Sequence, residues 1–265
     1  PYARKLWGLE PEEIAAVQAQ KRVSANTVAK IVGKIIALVP GFKRKGAGCF
    51  FYPRKNYGQI SQALAQEVRN LGGKIQLSTS VKEIRLQNCR ERAIMVGPST
   101  IVPAADKAQV VSEDTKISTD FVFSTIPVTN LVNYLRPEPP ADVRRYCEQF
   151  KYRDMVLCYL VLETDQFTPY DAHYFPEMDT IFSRVSEPKN YNGSLEPYGM
   201  TGLCAEIPCS FGDDTWNTSE DGINARVISD LAHVGLPVRF PVKTRFVRRV
   251  RYVYPVYDLN FERRF

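Results

Sequence analysis

The feature that most constrains the fold is the unbroken apolar run at residues 155–162. A run of this length suits a strand, and a strand whose successive side chains are all apolar must be covered on both faces. We therefore predict a central strand here. Further strands are predicted at 172–175, 180–184, 201–207 and 244–254.

A helix is predicted between the last two of these strands. Ser219 or Thr218 suits its N-cap, and Gly235 is placed to end it. Its apolar stripe comprises Ile223, Val227, Leu231 and Val234. The predicted fold class is therefore α+β, with a helix-backed mixed, mostly antiparallel sheet.

The preceding part of the chain alternates helices with short strands. Helices are predicted within residues 11–40, after Asn56, from Pro127 and at 141–149. Gly72 is placed to end the second of these. The predicted strands lie at 74–77, 81–86, 92–96, 108–112 and 117–124.

Charge and composition narrow the classes of partner. The net charge is only +6, and no nucleic-acid recognition motif accompanies the short basic clusters at 43–45 and 248–251. We therefore expect no nucleic-acid partner, whereas a small anionic molecule or an anionic membrane surface would fit. The apolar stripe within residues 28–39 predicts a helix that packs in the core or touches a membrane.

The cysteines and histidines predict no metal site. None of the six cysteines forms a CxxC pair, and only two histidines are present. Cys158 and Cys204 lie in apolar runs, which is typical of buried thiols in a reducing compartment, although a Cys204–Cys209 disulfide is the alternative. The expected location is therefore cytoplasmic, with peripheral membrane contact as an option.

Residues 182–191 place one arginine, one glutamate and one lysine between aromatic residues. In an extended segment, positions two apart share a face, so Arg184 should point as Phe182 does, with Glu187 opposite. A guanidinium suits a phosphate, a diphosphate or a carboxylate. The alternative is a structural ion pair between Arg184 and Glu187.

Four tracts resemble, in the right order, segments of UDP-galactopyranose mutases and of the related protoporphyrinogen-oxidase-like flavin amine oxidases. Residues 182–191 are similar to the family pattern T-R-x-x-E-x-K, and residues 2–8 to Y-T-x-K-x-W-G. Residues 50–60 are similar to an aromatic-P-x-x-G-Y segment, and residues 251–257 to Y-x-Y-P-V. Together they extend over nearly the whole chain.

The resemblance implies a domain organisation. Residues 1–49 would be a helical segment of the substrate domain, 50–126 a helix and β-meander portion of an FAD-binding domain, and 127–265 the substrate-binding domain. The chain has no G-x-G-x-x-G phosphate-binding turn. We therefore expect an internal portion of a longer flavoenzyme that holds FAD when full-length, and that is inactive and binds FAD weakly or not at all as this fragment.

The resemblance also implies the site residues. For the substrate these are Trp7, Tyr52, Arg184, Glu187, Lys189 and Tyr254. For the cofactor they are Val81, whose backbone would contact the adenine of FAD, with Thr125 and Pro127 near the flavin. The sequence designates no catalytic base or nucleophile, and it does not reveal the oligomeric state.

Two functions remain open. An FAD-dependent oxidoreductase would oxidise a small anionic substrate by hydride transfer to flavin. A nucleotide-sugar mutase of cell-surface polysaccharide synthesis would contract a sugar ring with reduced flavin. The alanine at position 3, where the pattern has threonine, favours the oxidoreductase, whereas residues 182–191 match the mutase better.

Overall fold

The computed structural model describes residues 2–18, 51–54, 56–87, 107–112, 115–193 and 196–261. The chain forms two compact units. One comprises Pro1–Gln66 and Tyr152–Asn260, and the other Glu67–Lys151 and Phe261–Phe265. The functional boundaries expected at residues 49 and 126 stay predictions.

The elements follow one another with short connections. The described α-helices are α1 (Tyr2–Trp7), α2 (Gly58–Asn70), α3 (Val128–Tyr134), α4 (Ala141–Gln149), α5 (Pro188–Asn192), α6 (Asp214–Asn217) and α7 (Glu220–His233). The described strands are β1 (Glu83–Gln87), β2 (Lys107–Val111), β3 (Lys116–Thr119), β4 (Leu135–Arg136), β5 (Lys151–Leu162), β6 (Ala172–Tyr174), β7 (Arg184–Ser186), β8 (Thr201–Cys209) and β9 (Val242–Val256).

A five-stranded sheet forms the larger unit, in the order β6-β7-β8-β5-β9. Strands β6, β7, β8 and β5 pair antiparallel along this order. The apolar run lies in β5, which has a neighbour on each side, so the predicted central strand is confirmed. This sheet and its helices have the predicted α+β, mostly antiparallel fold class.

One face of this sheet holds the core. Val156, Cys158 and Leu160 alternate along β5 and are almost completely buried. They belong to one apolar cluster with the buried stripe of α7, which comprises Ile223, Val227 and Leu231. Because facing residues of paired strands share a face, the positions between them point the other way.

We call this other side the open face. It is defined by Tyr174, Arg184, Glu206, Leu157, Tyr159 and Cys204. Register sets the membership, because Tyr174 faces Arg184, Arg184 faces Glu206, and Tyr159 faces Cys204. Most of these side chains keep partial contact with solvent, in contrast with the core face. The open face is therefore where a ligand could reach the sheet.

Helix α7 begins and ends as its sequence predicts. Ser219 Oγ accepts a hydrogen bond from the Gly222 amide, which caps the N-terminus. Gly235 follows the helix with a φ of +81°, a left-handed conformation that glycine adopts at low cost. The predicted helix and its backing of the sheet are confirmed.

A four-stranded sheet lies in the second unit, in the order β3-β2-β1-β4. Strands β1, β2 and β3 form the predicted antiparallel meander, and β4 adds parallel to β1. The strand predicted at 74–77 is wrong, because these residues are irregular and pair with no strand in the described part of the chain. The strand predicted at 92–96 lies outside the described residues.

The N-terminal region differs from its prediction as well. Pro11–Glu13 forms a 3₁₀ turn, and Ile14 then makes a β-bridge to Asp258 instead of continuing a helix. Most of the helix predicted within 11–40 lies outside the described residues. In the part of the chain that is described, no helix is long and apolar enough to cross a membrane.

Candidate functional site

Arg184 reaches the open face because the backbone bends at Ser183. The Ser183 amide donates to Glu206 O at 2.9 Å, and its carbonyl accepts from the Phe175 amide at 2.9 Å. Phe182 lies in the core before this bend. The prediction that Arg184 points as Phe182 does is therefore wrong, and so is the strand predicted at 180–184, because β7 begins only at Arg184.

The partner of Arg184 is Glu206 on the neighbouring strand. Arg184 Nη2 donates to Glu206 Oε1, and the two residues face each other in the register of β7 and β8. The alternative of an ion pair with Glu187 is therefore replaced. Burial lowers the pKa of Arg184, but hydrogen bonds to Glu206 and Tyr174 outweigh it and raise that pKa overall.

The guanidinium is only partly satisfied. Arg184 Nε is buried and has no acceptor among the described residues. Nη2 is committed to Glu206, while the side chain as a whole remains 35% exposed. A buried donor without a partner costs stability unless something supplies the acceptor, so this arginine has the features of a ligand-binding group.

Tyrosines surround the pair. Arg184 Cζ lies 5.9 Å from the centroid of the Tyr174 ring. Burial raises the pKa of Tyr2, with further increases from Tyr174 and Tyr254, while Arg184 opposes them. Burial also raises the pKa of Tyr191, which Arg184 opposes in the same way. These mutual effects arise because the hydroxyl groups and the guanidinium lie close together.

Helix α1 brings two aromatic residues to this region. The Trp7 and Tyr254 rings meet edge to face with centroids 5.5 Å apart, and the Trp7 side chain is buried. Tyr2, on the same helix, links them to Arg184 through the electrostatic effects described above. The structure thus brings together three of the predicted substrate residues, Trp7, Arg184 and Tyr254.

Tyr52 joins the same region through Tyr191. Their rings stack with centroids 5.5 Å apart and an interplanar angle of 18°. Asn192 Nδ2 donates to Arg54 O and to Asn56 Oδ1, at 3.3 and 2.8 Å, and so ties this segment to α5. Tyr52 is therefore separated from the Arg184 guanidinium by one tyrosine.

Glu187 has its carboxylate turned toward protein donors. The side chain is buried and accepts from the Phe167 amide at 2.8 Å, from the Thr168 amide at 3.0 Å and from Thr201 Oγ1 at 2.7 Å. These three bonds join the start of α5 to β8 and to the loop after β5. A substrate contact by Glu187 stays a prediction, and the geometry gives this residue a positioning role.

Lys189 is fastened in a comparable way. Its Nζ donates to Pro197 O at 2.9 Å and to Met200 O at 3.0 Å, and lies 3.3 Å from Asp165 Oδ1. Because an ammonium has three donors, these contacts occupy all of them. The predicted substrate contact of Lys189 stays a prediction.

Sequence reasoning missed Glu206, Tyr174 and Tyr159. Glu206 did carry a signal, since it is one acidic residue inside a buried strand sequence. Tyr159 faces Cys204, and burial raises the pKa of Tyr159 to about 12 and that of Cys204 to about 11. Both side chains are therefore neutral near pH 7. Cys204 and Cys209 are free thiols, so the alternative disulfide does not form.

The three predicted cofactor residues lie in the second unit. Val81 precedes β1 and is partly buried, and its backbone makes no ladder hydrogen bond among the described residues. Thr125 is exposed in the irregular segment before α3, and Pro127 O accepts from the Asn130 amide at 2.9 Å. The backbone of Val81 is therefore able to contact a nucleotide base, which fits the expected contact with adenine.

A helix-backed antiparallel sheet with tyrosines around an arginine on its open face, together with a second unit built on a β-meander, defines the class of flavin amine oxidase-like proteins. Residues 32–257 match the sequence profile of the family described as flavin containing amine oxidoreductase. This match covers most of the chain, which therefore belongs to that family of FAD-dependent oxidoreductases.

Solved structures agree on the fold. A reduced UDP-galactopyranose mutase superposes with a TM-score of 0.71 at 15% identity, over 100% of this chain and 54% of its own. A protoporphyrinogen oxidase assigned as such in Exiguobacterium sp. 255-15 gives 0.58 at 15% identity, over 82% and 44%. A putrescine oxidase bound to putrescine gives 0.55 at 13% identity, over 78% and 43%.

The chain therefore spans about half the length of these solved relatives. At such low identity, the likeness concerns the fold alone. No curated protein matches the sequence.

Proposed function

We propose that this chain provides the substrate-binding part of an FAD-dependent oxidoreductase that oxidises a small organic, anionic substrate by hydride transfer to flavin. The observation that carries this proposal is the incompletely satisfied Arg184 guanidinium on the open face, in a chain of the flavin amine oxidoreductase family. Flavin supplies the two-electron chemistry when bound, while the protein binds and orients the substrate.

In this proposal each group at the site has a distinct task. Arg184 donates to the anionic group of the substrate, which also provides an acceptor near its unpaired donors. Tyr2, Tyr174 and Tyr254 form walls that limit water and strengthen that contact. The Val81 backbone, with Thr125 and Pro127, holds the cofactor.

A second candidate function is a flavin-dependent nucleotide-sugar mutase. It is favoured by the UDP-galactopyranose mutase structure, which matches the chain over its whole length with a higher TM-score than the oxidases. In that case the diphosphate of a nucleotide sugar would be the anion at Arg184. A diphosphate offers several acceptors to a planar guanidinium, as a carboxylate does, so the arginine alone does not distinguish the two.

The first experiment tests Arg184 as the anion site. The chain is titrated calorimetrically with 3-phenylpropanoate and with UDP, and the titrations are repeated on Arg184→Gln. We expect about tenfold weaker binding of whichever anion binds, which corresponds to about 1.4 kcal/mol. Arg144→Gln is the matched control, since Arg144 is also half-exposed and paired with a carboxylate, that of Glu138. Equal losses in both variants would reject the site.

The second experiment separates the two functions in the protein loaded with FAD. An oxidoreductase bleaches the oxidised flavin spectrum when substrate is added without oxygen, and consumes oxygen in air. A mutase leaves the oxidised flavin unchanged and converts UDP-sugars only after reduction with dithionite. A protein that shows neither response and no flavin spectrum contradicts both functions.

A further inference from the structure

The Arg184–Glu206 pair presents two complementary atoms to solvent. Arg184 Nη1 and Glu206 Oε2 have no protein partner among the described residues. Unlike Arg184 Nε, they are not among the buried unpaired atoms, so both are reachable from the open face. A hydrogen-bond donor and an acceptor of opposite charge therefore stand side by side.

The surroundings make this pair selective. The Glu206 side chain is only 16% exposed and that of Arg184 35% exposed, so neither charge is fully solvated. A simple anion that approaches Arg184 is also repelled by the adjacent Glu206 carboxylate, and a simple cation that approaches Glu206 is repelled by Arg184. In a partly dry site such repulsion is weakly screened.

A ligand with both charges on neighbouring atoms converts each repulsion into an attraction. Its acidic group contacts Arg184 while its ammonium contacts Glu206, so that four charges of alternating sign surround one another. We infer that the open face selects a dipolar ligand, an α-amino carboxylate, through Arg184 and Glu206 together. This inference rests on the proposed function and narrows its substrate class from anions to zwitterions.

The rings at the site indicate the rest of the ligand. Tyr174 exposes 60% of its surface beside the pair, and Tyr2 and Tyr191 are close enough to shift in pKa with Arg184. Flat aromatic surfaces favour an apolar or aromatic side chain. An aromatic α-amino acid is therefore the appropriate probe.

The test compares three molecules with the same phenyl group and chain length: L-phenylalanine, 3-phenylpropanoate, which lacks the ammonium, and 2-phenylethylamine, which lacks the carboxylate. Calorimetric titration of the chain should show phenylalanine binding about tenfold more tightly than either. Glu206→Gln should abolish this preference and improve the binding of 3-phenylpropanoate. Arg184→Gln should favour 2-phenylethylamine instead.

Two controls keep the test decisive. Glu138→Gln removes the carboxylate from an exposed pair with Arg144 and should leave all three affinities unchanged. Near-ultraviolet circular dichroism checks the fold of each variant. If a single variant unfolds, the double variant Arg184→Gln/Glu206→Gln removes both charges at once and should bind the three probes within about twofold of one another.

The outcomes separate the two levels of the argument. If 3-phenylpropanoate binds the unaltered chain as tightly as phenylalanine and Arg184→Gln weakens it, the dipolar inference is wrong and the proposed anion site stands. If 2-phenylethylamine binds as tightly as phenylalanine, the inference is wrong as well. If no probe binds, or Arg184→Gln changes nothing, the proposed function fails too.

Discussion

The Lys5 ammonium lies 2.7 Å from Thr180 Oγ1, in the interior of the larger unit. It also donates to Phe175 O at 3.1 Å and to Glu177 O at 2.6 Å, and burial lowers its pKa. Three acceptors thus occupy the three donors of this lysine. Lys5 thereby anchors α1, the helix that carries Tyr2 and Trp7 to the candidate site.

Lys5→Met should destabilise the protein by about 2–3 kcal/mol, because it leaves buried acceptors without a donor. Urea denaturation measures the loss, and tryptophan fluorescence reports on the contact between Trp7 and Tyr254. Arg4→Met is the control on the same helix, since Arg4 forms an exposed pair with Glu10, and it should change stability by less than about 0.5 kcal/mol. Equal effects of the two substitutions would refute the anchoring role.

Glu187→Gln tests whether this carboxylate positions the site. An amide retains only one acceptor oxygen for the amides of Phe167 and Thr168 and the hydroxyl of Thr201, so we expect a loss of about 2–3 kcal/mol in the free energy of unfolding. Glu163→Gln, at an exposed position, should be within about 0.5 kcal/mol of the unaltered protein. A stable Glu187→Gln variant with weakened ligand binding would instead support a direct substrate contact.

Cys158 predicts a fall in stability at alkaline pH. Burial raises the pKa of its thiol from 9.0 to about 12. Above pH 9 the unfolded chain loses this proton while the folded chain keeps it, so the free energy of unfolding falls as pH rises toward 12. Cys158→Ala should therefore give a shallower fall over this range.

The Cys158→Ala substitution also costs about 1–2 kcal/mol at neutral pH, because the thiol is buried and donates to Asn224 Oδ1 at 3.3 Å. Val156→Ala is the matched control, since Val156 is buried on the same strand and does not titrate. It should lower stability at neutral pH without changing the slope. Parallel pH profiles for the unaltered protein and Cys158→Ala would contradict the prediction.

Arg251 should stabilise the end of β9 through two contacts. Its Cζ lies 3.8 Å from the centroid of the Phe211 ring, and its Nε lies 3.2 Å from the buried Asp154 carboxylate. Arg251→Met should lower stability by about 2 kcal/mol in thermal denaturation. Arg245→Met, on the same strand with only an exposed pair to Asp221, should cost less than about 0.5 kcal/mol. A smaller loss at Arg251 than at Arg245 would sink this explanation.

Locally determined elements could be predicted from the sequence. Helix α4 occupies 141–149 as predicted, and the capped, stripe-bearing α7 was recognisable from Ser219 and from its helical periodicity. By contrast, residues 74–77 have strand-forming composition but no strand, because a strand requires a partner from elsewhere in the chain. The bend at Ser183 depends in the same way on a distant acceptor, Glu206 O.

The amino-acid sequence by itself determined the apolar alternation that buries one side of the sheet, the helix that covers it, and the tracts by which the flavin amine oxidase-like family could be recognised. Only the tertiary structure decided that Arg184 pairs with Glu206 and not with nearby Glu187. The two partners are 22 positions apart in the chain, and they meet because β7 and β8 align in one particular register. Such a register depends on the packing of the whole sheet, which no local pattern encodes.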